Sequence, residues 1–164
     1  MSEKFVYCIF CETSYEGKVE AFLKRLGYNI ISALVERKTI KNRKFIKEYR
    51  SIIPGYVFLE NNAEPDWDEI CRYKHIYYPL QYLNNQKYLK DNDLHFVKWL
   101  KGNNGEIKIS KAMTIGNKIK FLDGALMKLE DKIVKINKEQ KCAGIKIEGD
   151  GIKNIIWLSY ELVE

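Results

Sequence analysis

Histidine is nearly missing: there are two in 164 residues, His75 and His95, and each stands alone on its stretch of chain. No H-E-x-x-H spacing, Gly-rich phosphate loop or G-x-S-x-G elbow occurs, so metal-assisted, nucleotide-phosphate and serine-nucleophile chemistry lack their usual side chains. Gly144, Gly149 and Gly151 do not supply a phosphate site, because no helix start follows them; tight strand turns are expected there. No run of about 18 apolar residues exists to span a bilayer, and the first residues lack the charged-then-apolar plan of a signal peptide. A cytoplasmic chain without membrane contact is expected. Its cysteines are few (Cys8, Cys11, Cys71 and Cys142), and in that compartment they are expected to be reduced. Cys8 and Cys11 have C-x-x-C spacing, but residues three apart on a strand point to opposite faces. No helix start or second ligand pair completes a redox or zinc site. Core thiols are expected, with no catalytic residue, metal or cofactor.

What the sequence holds is apolar, aromatic and unevenly charged. Hydrophobic residues make up 46% and aromatic residues 13%, enough to build a core. Eleven tyrosines suggest that some rings serve surfaces as well as the interior. The chain carries +6, and the segment 36–50 alone carries +5, from Arg37, Lys38, Lys41, Arg43, Lys44, Lys47 and Arg50 against Glu36 and Glu48. Such a concentration favours an anionic partner. From Thr114 onward the charge is nearly balanced, with nine lysines against eight acids.

Periodicity and punctuation give an α+β order. A strand is expected at Phe5–Cys11 and a helix at Ser14–Leu26, with Thr13 and Glu16 at capping-box spacing and Gly27 as the stop. A strand at Asn29–Val35 leads into a basic hairpin over 36–50 that turns at Asn42. Pro54-Gly55 launches the apolar strand Tyr56–Leu59. A helix near Asp66–Tyr73 and a strand over 75–83 complete a β-α-β-β-α-β order, the ferredoxin-like plan, and a last helix is expected over 91–100. Gly102-Asn103-Asn104-Gly105 opens a stretch suited to a linker. Short strands at 115–121, 132–136, 143–147 and 152–157, divided by Asp-Gly and Gly-Asp-Gly turns, suggest a small β-barrel.

Tyr7 on the first strand, then Pro54-Gly55-Tyr56-Val57-Phe58, and later Gly116, Ile119 and Asp123-Gly124 carry a resemblance to a known family. The chain resembles NusG, and more narrowly its specialised paralogues of the LoaP and RfaH kind. The resemblance implies three parts: a ferredoxin-like α/β sandwich, the NusG N-terminal domain, at 1–101; a linker at 102–113; and an SH3-like KOW barrel at 114–164. It further implies a regulator of transcription elongation or processive antitermination, not an enzyme. Phe10, Ile53 and Tyr56 would grip the clamp helices of RNA polymerase, with Tyr7, Pro54 and Phe58 shaping the floor, as aromatic anchors do in helix-in-groove recognition.

Two positions depart from the family pattern. Asp131 stands where a turn glycine is usual, and Asp150 where housekeeping members carry an aromatic before Gly151. The second puts contact with Rho or a ribosomal protein in doubt and favours a specialised paralogue. For nucleic acid, an RNA hairpin or non-template DNA, the expected contacts are Arg37, Lys38, Lys41, Arg43, Lys44 and Lys47 of the hairpin, with the barrel lysines Lys135, Lys138, Lys141 and Lys153. A monomer is expected. The rival readings are a ribosome-associated KOW-type RNA-binding protein and a thiol enzyme using Cys8 or Cys11.

Overall fold

The structure, a computed structural model, describes residues 3–163. In chain order the strands are β1 (Phe5–Cys11), β2 (Asn29–Ile31), β3 (Leu34–Lys41), β4 (Lys44–Ser51), β5 (Tyr56–Asn61), β6 (Ile76–Pro79), β7 (Glu106–Ile107), β8 (Ser110–Ile115), β9 (Lys118–Phe121), β10 (Ile133–Asn137), β11 (Cys142–Glu148) and β12 (Lys153–Leu162). The helices are α1 (Glu16–Arg25), α2 (Trp67–Ile70), α3 (Asp91–Gly102) and α4 (Gly124–Lys128). They fall into two compact units, neither contiguous in sequence. The first takes the chain through Ala33, then Ile53–Gly105 and the short segment Glu148–Ile152. The second takes Leu34–Ile52, Glu106–Ile147 and the chain from Lys153.

The first unit is built on a sheet of order β2-β5-β1-β6 in which every neighbouring pair is antiparallel. β1-α1-β2 therefore encloses β5, and β5-α2-β6 encloses β1, giving two interleaved β-α-β units. Directly opposed residues share a face, so the register Tyr7↔Leu59 and Ile9↔Val57 puts these four on one side. Val19 and Leu23, four apart on α1, and Ile70 of α2 close over them. Burying each such aliphatic side chain contributes about 1.5–3 kcal/mol. Cys8↔Phe58 faces the other way, where the Phe96 ring of α3 meets Phe58 edge-on at 6.1 Å.

α1 starts at Glu16, without a side-chain cap at Tyr15. Thr13 and Glu16 have the spacing of a capping box, but the Glu16 carboxylate accepts from the Gly55 backbone N–H at 2.7 Å. The tertiary bond wins because Gly55, at φ +86°, turns its backbone towards the start of the helix. Gly27 ends α1 with φ +97°. The strand expected at Asn29–Val35 is divided: β2 stays in the first sheet, and β3 belongs to the second unit.

In the second unit β3 and β4 form a hairpin in register from Leu34↔Ser51 to Lys41↔Lys44. Asn42 and Arg43 have φ of 51° and 64°, the signature of a type I′ turn. β7 adds to β3 in parallel. A five-stranded sheet of order β10-β11-β12-β8-β9 completes the unit; β8 pairs with β12 in parallel, and Tyr160, Phe121 and Leu126 lie in its interior. Residues 102–113 carry the end of α3, β7 and the start of β8, with Ile107, Ser110 and Ala112 buried. Their small side chains suit close packing as well as they suit a loop.

Candidate functional site

On the first unit, the sheet face that carries Cys8 and Phe58 continues to Phe10, Tyr56 and Tyr78. Register places Tyr56 and Tyr78 on either side of Phe10. Their rings meet Phe10 edge-on, with centroids 5.0 Å and 5.3 Å away, the arrangement that aromatic quadrupoles favour. Tyr78 is 60% exposed, while Phe10 and Tyr56 are half-buried. A shallow depression beside them is lined by Phe10, Tyr78, Pro79, Leu80 and Lys87.

Of the six residues assigned to polymerase by resemblance, Phe10 and Tyr56 are thus brought together at a surface. Pro54 is exposed in the preceding turn. Tyr7, Ile53 and Phe58 are buried; Tyr7 lies on the opposite face of the sheet, and its hydroxyl reaches Glu64 at 3.4 Å. Burial, then Glu64, push that hydroxyl up to about 12. Tyr78 was not singled out by sequence because Tyr77 and Tyr78 alternate like any strand residues. The register that sets Tyr78 against Phe10 is tertiary.

On α3, which packs on this same side of the sheet, stands Asp93, a carboxylate with no exposure. It accepts from the Tyr82 hydroxyl at 2.7 Å, the Gly151 N–H at 2.9 Å and the Ile152 N–H at 2.9 Å. Asn92 adds a bond to the Glu148 carbonyl at 3.2 Å. The Gly149-Asp150-Gly151 turn is therefore held in the first unit, with Gly151 packed on Leu80. Asp93 went unrecognised in the sequence, although its positions relative to Phe96, Val97 and Leu100 set it on the apolar stripe of α3.

All ten residues assigned to nucleic acid belong to the second unit. Arg37 is half-buried and donates to the Ser159 hydroxyl at 2.8 Å. Burial pulls its guanidinium below its ordinary value. Lys38 lies 4.9 Å from the centre of the Phe45 ring and 4.0 Å from Glu161. Lys41 pairs with Glu48 at 3.5 Å. Arg43, Lys44 and Lys47 are exposed and, among the described residues, form no ion pair. Lys135 on β10, Lys138 and Lys141 in the turn between β10 and β11, and Lys153 on β12 are exposed, Lys138 donating to the Asn117 carbonyl at 2.6 Å.

The thiols are placed as the strand geometry predicts. Cys11 joins the core beside Tyr7 and Ile9, and Cys8 points to the other face, the side of α3 and Asp93. Burial pushes Cys8 well up, with Asp93 adding to it; burial and then Glu16 push Cys11 up to about 12. Neither is an activated thiolate at neutral pH. Among the described residues, no group of three His, Cys, Asp or Glu is arranged to hold a metal. No helix there is long and apolar enough to cross a membrane.

No curated protein matches the sequence. A solved structure describing domain interaction in Thermotoga maritima NusG is similar at 19% identity and TM-score 0.48, covering 96% of this chain and 94% of that one. The family model described as transcription termination factor nusG matches residues 5–95, which span every strand of the first unit's sheet together with α1 and α2. The chain belongs to the NusG family.

Proposed function

We propose that this protein is a transcription elongation regulator of the antitermination kind, one that holds RNA polymerase by its clamp helices and touches nucleic acid through a separate basic surface. The observation that carries the first half is the Phe10–Tyr56–Tyr78 cluster, in which two tyrosine rings meet Phe10 edge-on on the sheet face. A rigid aromatic patch gives large contact area at little cost in side-chain entropy, which suits it to anchor an amphipathic helix pair. Tyr7, Ile53 and Phe58 support it from the core, and Pro54 sets the turn that leads to Tyr56.

The interleaved β-α-β order of the first sheet fits a ferredoxin-like NusG N-terminal domain. The five-stranded sheet fits an SH3-like KOW barrel over 114–164, reached through 102–113. Family membership agrees with a factor that acts by binding: holding the clamp closed shifts the polymerase population away from paused states without covalent chemistry. The basic hairpin and Asp150 favour a specialised paralogue of the LoaP or RfaH kind, with RNA, such as a leader hairpin, as the nucleic-acid partner.

The test is pull-down and titration with isolated polymerase clamp helices. Phe10→Ala and Tyr78→Ala are each expected to weaken binding by about 10-fold or more, as anchors at the centre of an interface do. Full binding by a double Phe10→Ala, Tyr56→Ala variant that keeps its fold would overturn the assignment.

A further inference from the structure

Within the second unit a groove of ≈ 520 Å³ runs between the β3–β4 hairpin and strands β11 and β12. From the hairpin come Arg37, Lys38 and Phe45; from the other side come Lys141, Trp157 and Ser159. Strand alternation makes this lining. Ile156, Leu158 and Tyr160 turn into the core, so Trp157, Ser159 and Glu161 share the opposite face of β12. Gly144 on β11 has no side chain to lift the Trp157 ring, and a Cβ there would stand 3.3 Å from two atoms of the indole. Phe45 is 67% exposed although it is a large apolar ring.

We propose that this groove binds single-stranded nucleic acid, its bases stacking on Trp157 and Phe45 while Arg37, Lys38 and Lys141 meet the phosphates. The inference rests on the proposed contact of this protein with nucleic acid and goes on to assign the form of ligand and the groove that takes it. Three cations against one acid, Glu161, leave the lining positive. Arg37 is paired with a neutral hydroxyl, and among the described residues no carboxylate pairs with its guanidinium. A desolvated cation of this kind gains from an arriving phosphate, and arginine does so in bidentate fashion. Aromatic faces inside a concavity select unpaired bases, because a duplex keeps its base faces stacked on one another. The hydroxyl of Ser159 fixes the guanidinium before the ligand arrives.

The experiment is fluorescence anisotropy with the full chain and labelled 12-nucleotide strands of U, of dT and of an abasic backbone, together with a hairpin RNA. Wild type is expected to bind U12 or dT12 more tightly than the abasic strand. Preference between the first two assigns the source as RNA or as displaced DNA. Trp157→Ala should weaken single-strand binding by about 5- to 150-fold, the range for losing one stacked base, and Trp157→Phe should restore most of it. The salt slope should stay unchanged in Trp157→Ala and fall by about 1 in Lys141→Gln. Phe45→Ala, at an exposed ring, keeps the test decisive if Trp157→Ala does not fold. Equal affinity for the abasic strand, or displacement of U12 by polyglutamate at matched charge, overturns the proposal in favour of an acidic partner. Binding of the hairpin RNA alone, untouched by the Trp157 and Phe45 variants, sinks the groove but leaves the broader nucleic-acid contact standing; no binding of any nucleic acid sinks both.

Discussion

Gly149 lies so close to Asp93 that a Cβ added to the glycine would stand 1.7 Å from the carboxylate Oδ1. The carboxylate cannot swing aside, since Tyr82, Gly151 and Ile152 all donate to it. The short return of chain at 148–152 is thus fixed by one buried charge satisfied entirely by neutral donors, the arrangement under which a buried carboxylate is tolerated.

Three substitutions should therefore destabilise the protein at a distance from any binding surface. Asp93→Ala leaves three donors without their acceptor, one buried and two part-buried, and is expected to cost about 3 kcal/mol. Asp93→Asn should do nearly as much harm, because its amide presents an N–H group towards donors that already point inward. Gly149→Ala should cost about 2 kcal/mol through the clash alone. Urea unfolding of each variant measures these losses; a midpoint equal to wild type for Asp93→Ala would contradict the anchoring role.

Thiol reactivity should divide sharply between one cysteine and the other three. Cys71 is exposed, while Cys8, Cys11 and Cys142 are buried, and burial pushes all four thiols up to differing degrees. Iodoacetamide at neutral pH should label the native protein once, at Cys71, and more slowly than free cysteine, since burial and Asp68 raise that thiol too. Fast labelling of Cys8 or Cys11, read by mass spectrometry, would revive a thiol enzyme.

The same burial predicts weakness in alkali. The folded chain holds the Cys11 proton to about 12, against 9.0 ordinarily, and the Tyr7 proton to about 12, against 10.0. A group whose folded-state pKa is raised stabilises the fold fully below its unfolded value, and that stability drains away as pH rises towards the folded value. Denaturation midpoints should therefore fall progressively between about pH 9 and 12. Cys11→Val should flatten the lower part of that decline; an unaltered decline would remove Cys11 as a cause.

How much of this could be read from the sequence depended on the range of the interaction. β1 was legible residue for residue, because seven successive residues of strand character end at a polar turn. The hairpin turn at Asn42 was legible because its geometry is local. The start of α1 was not: Glu16 had the right spacing for a cap and was drawn off by Gly55, 39 positions away. The break between β2 and β3 was hidden for the same reason, since only Ser32-Ala33, with no glycine or proline, marks the place where the chain changes sheets. At the candidate site, Phe10 and Tyr56 were named in advance only through what the family resemblance implies. Tyr78 and Asp93 acquire meaning only from register and packing, and Trp157 only from the absent side chain of Gly144.

The hairpin offers a test in which charge count and charge availability give different answers. Arg43, Lys44 and Lys47 have no ion pair among the described residues, whereas Lys41 and Arg50 are both held by Glu48, Arg50 at 2.6 Å. A cation already paired with a carboxylate gives up that pair on meeting a phosphate, so it contributes less to binding than a solvated one. Replacing Arg43, Lys44 and Lys47 with Gln should flatten the dependence of log K on log salt by about 2, since each phosphate neutralised contributes roughly 0.7 on a single strand and 0.9 on a duplex. Replacing Lys41 and Arg50 should flatten it by less than about 1, because Glu48 already neutralises part of their charge before any phosphate arrives. Equal slopes for the two sets of variants, measured by anisotropy from 50 to about 300 mM salt, would show that the exposed tip is not where the hairpin meets nucleic acid.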